Sequence, residues 1–319
     1  MNITHYITAV IPVHNRADLL DRLLQTIRGQ SLPFAEVIIV DNASTEDVRR
    51  EGCRTIAMNG NAGFARAVNT GWRAASTEWI AILNSDVELA PDWAERLLAG
   101  VAEASFATGL ILNAANRNAI DGTYDLMSRA ACAWRAGHGD TASNTMPGPI
   151  AIAPGTACLF RRDVLERMNG FDETFGSYLE DVDLGLRCLR EGFTGVYLPE
   201  AVAWHHGSAT LGRWNAEVVR LISRNQLKLV ARHYDRALFR ACFWPILTGQ
   251  LLWGIVALRH GAPIAWARGK IEAVRDFRLI APPSPRLREF LNHSEREIQA
   301  RAHDAYWRWY FRLAGTAAH

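Results

Sequence analysis

Four β-rich apolar runs alternate with three amphipathic helical stripes in the first 104 residues, and this order constrains the fold more than any other feature of the chain. HYITAVIPV (5–13) is a short strand-like run stopped by Pro12. ADLLDRLLQTIRGQ (17–30) places Leu19, Leu20, Leu23, Leu24 and Ile27 on one helical stripe, with Gly29 suited to its C-terminus. AEVIIVDNAS (35–44) is continuous enough to be a strand buried on both faces, and RTIAM (54–58) reads as a third strand. GFARAVNTGWRAA (63–75) is helical and EWIAILNSDVEL (78–89) opens with another strand. APDWAERLLAGVAEA (90–104) is a helix with Pro91 in its first turn. Strands separated by helices predict an α/β fold, an open and mostly parallel sheet with helices on both faces.

The chain then changes character. Residues 113–150 are rich in Gly, Asn, Asp and Pro and read as long loops. Regular signals return with ACLFRRDVLERMNGFDE (157–173), an acidic helix start and GVYLPEAVAWHHGS (195–208), and beyond about residue 215 only helical patterns remain. The expected organisation is a domain over 1–212, with halves of about 1–112 and 150–212, followed by a helical region over 213–319. An apolar fraction of 49% supports a buried core, and a net charge of +2 gives no field that points to nucleic acid. Five dispersed cysteines without CxxC spacing read as free thiols in a reducing compartment. The first residues lack a basic segment followed by a long apolar core, so no signal peptide is inferred and a cytoplasmic location is expected.

Ligands of open α/β sheets bind beyond the carboxyl ends of the strands. Here those ends are polar: PVHNR (12–16), DNAS (41–44) and NSD (84–86). Between them NGNAGFARAVN (59–69) supplies Gly60, Gly63, Arg66 and Asn69 around a helix start, a combination that suits a nucleotide. Singly, each has a plainer reading: Asp41 as a strand-end turn, the glycines as turn residues, Arg66 as a surface arginine. A Walker A loop and a G-x-G-x-x-G fingerprint are both absent.

In this order VIPVHNRADLLDRLLQTI, VIIVDNAST, NAGFARAVNTG and WIAILNSDVEL resemble the family 2 glycosyltransferases of GT-A fold. The likeness continues through GTACLFRRDVLERMNGFDETF, YLEDVDLGLRCLREGF and AVAWHHG, over roughly residues 5–210. It is closest to the branch with bacterial rhamnosyltransferases and galactofuranosyltransferases of envelope polysaccharides. The resemblance implies inverting transfer of a sugar, with dTDP-L-rhamnose one candidate donor, from a nucleotide-diphospho-sugar to a saccharide or lipid-linked saccharide. It also implies Mg²⁺ or Mn²⁺. The nucleotide-sugar set carried over is Pro12, Val13, Asn15, Arg16, Asp41, Asn42, Gly63, Arg66, Asn69, Asn84 and Ser85. The family's DxD-type motif is Asn84-Ser85-Asp86, whose first acid is replaced, so Asp86 is assigned to the metal and the diphosphate must supply much of the coordination.

Glu180, Asp181 and Asp183 crowd the head of a helix, where acids can simply complement the helix dipole. The resemblance makes Asp181 the base that takes the acceptor proton. In a helix Asp183 points about 200° away from Asp181, and Glu180 about 100° to the other side. Both are given orienting or structural roles beside Gly155 and Thr156 near the acceptor. Trp204-His205 matches the family placement of a metal-ligating histidine, 24 residues after Asp181. A non-catalytic nucleotide- or glycan-binding module on the same fold remains the alternative. A sugar-nucleotide pyrophosphorylase is disfavoured because PVHNRADLL runs straight into a helix.

In the C-terminal third, Ala241 to Leu258 carries no formal charge and is flanked by Lys228, Arg232, Arg236, Arg240, Arg259, Arg268 and Lys270. This basic, Trp-containing helical stretch reads as peripheral contact with the inner membrane leaflet. Internal packing, a homodimer contact and a true span are the alternatives.

Overall fold

Strand β1 (Ile7–Val13) is buried at every residue except Pro12. Ile7, Ala9, Ile11 and Val13 enter one core and Val10 enters another, so β1 is covered on both faces. The structure, a computed structural model, describes residues 7–141, 146–207 and 214–315. The first two residues expected in β1, Ser208 of the expected last strand segment and the boundary expected at 212/213 lie outside the described residues. The chain divides into two compact units, Met1–Tyr124 with Gly137–Thr210, and Asp125–Ala136 with Leu211–His319.

In the first unit β1 leads through α1 (Ala17–Arg28) to β2 (Glu36–Asp41) and β3 (Arg54–Ala57), then α2 (Phe64–Ala74) and β4 (Trp79–Leu83). A tight turn gives β5 (Val87–Leu89), followed by α3 (Trp93–Gly100), β6 (Phe106–Asn113) and β7 (Ile120–Gly122). The next hairpin, β8 (Asp125–Met127) and β9 (Ala133–Arg135), belongs to the second unit. The first unit resumes with β10 (Gly148–Ile150), β11 (Ala157–Arg161), α4 (Arg162–Arg167), α5 (Glu180–Glu191) and β12 (Gly195–His205).

Among the described residues the sheet has ten strands in the order β10-β12-β6-β11-β4-β1-β2-β3, with β5 on β12 and β7 on β6. Pairing is parallel along β3-β2-β1-β4 and between β6 and β12, and β11 runs antiparallel to both β4 and β6. Pro12 is tolerated in a central strand because the β4 ladder ends at Val10, before the missing N–H. One face packs on α1 and α3 through Leu20, Leu23, Trp93 and Leu97, the other on α2 and α5 through Val68, Trp72, Leu184 and Cys188. The described residues of 113–150, a stretch expected as long loops, hold four strands of three residues each. Such strands exist through partners elsewhere and are too short to show a period of two. All five cysteines are free thiols.

The second unit adds α6 (Ala216–His233), α7 (Arg236–Ala241), α8 (Phe243–Arg259), α9 (Pro263–Arg275), α10 (Pro285–Arg301) and α11 (Ala305–Ala314). Helices α6 and α9 approach through Gly269, where a Cβ would lie 2.2 Å from the Arg220 carbonyl oxygen. The β8–β9 hairpin is held by Glu295 of α10, which is 1% exposed and accepts from Arg129 Nε at 2.6 Å and Tyr310 Oη at 2.5 Å.

Strand β12 slips register against β6 between Leu198 and Val202, and the bulge brings the Ala201 carbonyl oxygen to 1.8 Å from where a Cβ on Gly109 would lie. The obstacle is backbone, which cannot rotate aside. Gly109→Ala is expected to lose about 3 kcal/mol or more of stability, measured by urea unfolding. A loss within experimental error would contradict the pairing described.

Candidate active site

The carboxyl ends of β1 and β2 are laced together. After β1 the chain turns through Asn15 and Arg16, both left-handed with φ 62°. Asn15 N–H donates to Ser44 Oγ at 2.8 Å, and its Oδ1 accepts from Thr45 N–H at 2.7 Å. Asp41 Oδ1 accepts from Ser44 N–H at 2.8 Å. Non-glycine residues in this backbone region are strained and persist only where the surroundings enforce them. A second such pair, Tyr178 (φ 70°) and Leu179 (φ 66°), leads directly into the acidic start of α5.

Residues 84–86 form the turn between β4 and β5. Strand β5 pairs antiparallel with β12, setting Val87 opposite His205, while β12 pairs with β6, setting His205 opposite Asn113. This register brings His205 Nε2 to 3.3 Å from Asp86 Oδ1. On the far side of β6, β7 carries Asp121, whose Oδ2 lies 2.8 Å from His205 Nδ1. Burial opposes the charged imidazole, but hydrogen bonds to Asp121 and Asp86 and the field of both acids prevail, raising its pKa to about 9. His206 turns away, with Nε2 2.8 Å from Glu88 Oε1. Arg16 is held by Asp18, whose hydrogen bonds at 3.0 Å are the main cause raising its pKa.

Asp181, in the first turn of α5, accepts from Gly155 N–H at 3.0 Å and from Val182 N–H at 2.8 Å. The next residue, Thr156, accepts Asn84 N–H at its carbonyl oxygen at 2.9 Å. Two consecutive residues therefore bind the NSD turn and the acidic helix to one strand entry. Glu180 is 6% exposed and its Oε2 has no hydrogen-bond partner. Burial, and then the charge of Asp181, raise its pKa well above the ordinary range.

Several expected nucleotide contacts serve the protein instead. Asn69 is fully buried: Oδ1 accepts from Phe171 N–H and Trp72 Nε1–H at 2.9 Å each, and Nδ2 donates to the Phe171 carbonyl oxygen at 2.8 Å and Glu173 Oε1 at 3.0 Å. Its hydrogen-bonding capacity is spent inside the fold, which corrects its assignment to the nucleotide. Asn42 is likewise buried and holds the 61–63 loop, accepting Ala62 N–H at 2.9 Å and donating to Asn61 Oδ1 at 3.0 Å. Val13 is buried, and its carbonyl oxygen accepts Asn42 N–H. Gly63 (φ 84°) abuts Gly176, where a Cβ would lie 2.7 Å from backbone. The start of α2 is occupied too, since Phe64 N–H donates to Ser177 Oγ and Ala65 N–H to the Gly176 carbonyl oxygen. Asp183 is fully buried and paired with Arg187 Nε at 2.8 Å, away from the acceptor role. Pro12, Arg16, Asp41, Asn84 and Ser85 are half-buried and Arg66 is exposed, with Arg16 paired to Asp18 at 3.0 Å and Arg66 to Glu173 at 3.6 Å. Asp121 was not singled out from the sequence, because it lies in a stretch with no periodic signal.

A family model described as glycosyl transferase family 2 matches residues 8–168. A pre-mycofactocin glycosyltransferase of Mycobacterium tuberculosis is 29% identical over 238 residues, covering 72% of this chain and 48% of its own, so the chain spans about half the length of that relative. An N-acetylglucosaminyl-diphospho-decaprenol L-rhamnosyltransferase of the same species is 24% identical over 242 residues, covering 65% of this chain and 79% of its own. Among solved structures, GalNAc-T7 with UDP, GalNAc and Mn²⁺ aligns at a TM-score of 0.60 and 13% identity, over 84% of this chain and 55% of its own. A mannosyltransferase from Pyrobaculum calidifontis with GDP-Man and Mn²⁺ aligns at 0.53 and 17%, over 98% of this chain and 86% of its own. The fold is GT-A.

The orphaned, raised carboxyl of Glu180 has a consequence for stability. The native state holds an extra proton once pH exceeds the ordinary glutamate value of about 4.3, so this contribution is present at low pH and lost as pH rises through the raised value. Glu180→Gln, a permanently neutral isostere, is expected to raise the melting temperature relative to the unsubstituted protein at pH 8 to about pH 9 and not near pH 4. An equal offset at both pH values would contradict a buried neutral carboxyl.

Proposed function

The chain belongs to glycosyl transferase family 2, and we propose that it moves a sugar from a nucleotide-diphosphate donor to a hydroxyl of a saccharide acceptor, with inversion. The observation that carries this reading is the pair of backbone bonds from Gly155 and Thr156, which unite the Asp181 carboxylate and the NSD turn at one sheet edge. A hydroxyl is a poor nucleophile, and inversion needs a base on the face opposite the leaving nucleotide. Asp181 takes that proton. Its two oxygens are already oriented by Gly155 N–H and Val182 N–H, so little reorganisation accompanies the step. Asp41 accepts from the base or ribose, and Arg16 and Arg66 bring positive charge to the diphosphate.

Asp86 and His205 fit a divalent cation. Oδ1 and Nε2 face each other, while Asp121 is bonded to the other ring nitrogen, so the cluster offers two ligating atoms. Among the described residues no group of three or more potential ligands occurs, and the remaining positions would fall to diphosphate and water oxygens. An imidazole ligand favours Mn²⁺ over Mg²⁺. When bound, such an ion supplies charge neutralisation at the departing diphosphate. Asp121 is a positioning residue: by accepting a hydrogen bond from Nδ1–H it would orient the ring so that Nε2, once a metal displaces its proton, can ligate.

The relative named as an N-acetylglucosaminyl-diphospho-decaprenol L-rhamnosyltransferase supports L-rhamnose as the sugar transferred and a saccharide on a polyprenyl diphosphate as acceptor. Such an acceptor would hold the enzyme at the inner face of a membrane.

Asp181→Asn is expected to lower transfer by about 10³-fold with nucleotide-diphosphate affinity unchanged. Transfer within tenfold of the unsubstituted enzyme would overturn the assignment of the base. Asp121→Ala is expected to weaken Mn²⁺ binding, followed by electron paramagnetic resonance, by about tenfold or more, without altering metal-free nucleotide binding. Unchanged Mn²⁺ affinity would show that the bond to Nδ1 does not position the ring.

A further inference from the structure

Helix α8 buries Ile246, Gly249, Gln250 and Ala257 on one side. On the other, Phe243, Trp244, Leu247, Leu251, Ile255 and Leu258 are each between 39% and 63% exposed. At 100° per residue these six fall within an arc of about 120° that runs the length of the helix, about 25 Å. A continuous exposed apolar face of this size marks a docking surface. It extends to α11, because Trp244 Nε1–H donates to the Leu313 carbonyl oxygen at 2.9 Å and both Trp309 and Leu313 are half exposed.

Charge decides what the face meets. Arg236 and Arg240 of α7, Arg259 at the end of α8, and Arg268 and Arg275 of α9 are all exposed. Between residues 236 and 275 the only acid is Glu272, and it is engaged by Arg220 at 2.5 Å. Pairing with a second copy would set arginines against arginines, with no acids in this stretch to answer them. An anionic bilayer answers the arginines with phosphates and the apolar arc with acyl chains. Among the described residues no helix is long and apolar enough to cross a membrane.

We propose that the α8 face, continued by α11, docks this protein on an anionic phospholipid surface with α8 parallel to it. The proposal gives a location to the membrane-held acceptor suggested above and rests on that reading only for its purpose. Its test therefore uses vesicles without acceptor. In flotation with phosphatidylcholine vesicles containing phosphatidylglycerol, the full chain is expected to float, and to float poorly with phosphatidylcholine alone or in high salt. Leu251→Glu with Leu258→Glu is expected to reduce the floated fraction at least tenfold, with nucleotide binding and melting temperature unchanged. Arg259→Ala with Arg268→Ala, which spares the apolar arc, should remove the preference for phosphatidylglycerol. A chain that stays in solution with anionic vesicles overturns the proposal. So does equal flotation of the glutamate variant, or light scattering that shows a dimer which the glutamate variant splits while vesicles go unbound. Loss of transfer to a soluble acceptor with flotation intact would instead count against the catalytic reading alone.

Discussion

The pairing of β12 with β5 on one side and β6 on the other is the constraint on which the candidate site depends. Strand β5 is only three residues long and exists because β12 receives it. That ladder sets Val87 opposite His205 and thereby aligns Asp86 with the imidazole, while β6 carries β7 and Asp121 to the other ring nitrogen. A one-residue slip of β12 would turn His205 to the opposite face of the sheet. The bulge between Leu198 and Val202 and the glycine at 109 hold that register. The meeting of residues 86, 121 and 205 is thus a consequence of strand pairing among segments far apart in the chain.

A second constraint works at the middle of the sheet. The entry to β11 spends two backbone groups on the site, Gly155 N–H on Asp181 and the Thr156 carbonyl oxygen on Asn84. Gly155 also lies under the Phe64 ring, where a Cβ would sit 3.1 Å from two of its carbons. Left-handed pairs at 15–16 and 178–179 flank the same edge. Strain at both turns, held by the Asn15 N–H bond to Ser44 Oγ and by the start of α5, is what a preorganised edge requires.

The fold was largely legible because apolar strands buried on both faces and strongly amphipathic helices announce themselves through periodicity, as in β2, β4 and α1. Helical geometry separates Asp183 from the face of Asp181, and the structure buries Asp183 against Arg187, but the burial of Glu180 was not visible in the charge pattern. Periodicity could not show which polar residues the fold consumes. Asn69 and Asn42 look like ligands in a list of polar residues, yet buried asparagines with several protein partners are the usual way to satisfy backbone groups of irregular loops. Asp121 and the short strands of residues 113–150 were hidden for the opposite reason, because their structure comes from partners distant in sequence. In the second unit, the uncharged stretch from Ala241 to Leu258 gave no indication of which face would be left uncovered until α9 and α11 had packed.

The central claim is that Asp86 and His205 hold a divalent cation against a nucleotide diphosphate at this sheet edge. Calorimetric titration of nucleotide diphosphates with and without Mn²⁺ tests it most directly, on the unsubstituted protein and on Asp86→Ala with His205→Ala. Mn²⁺ should tighten binding to the unsubstituted protein at least tenfold and leave the variant unaffected. The same Mn²⁺ dependence in both would contradict the claim.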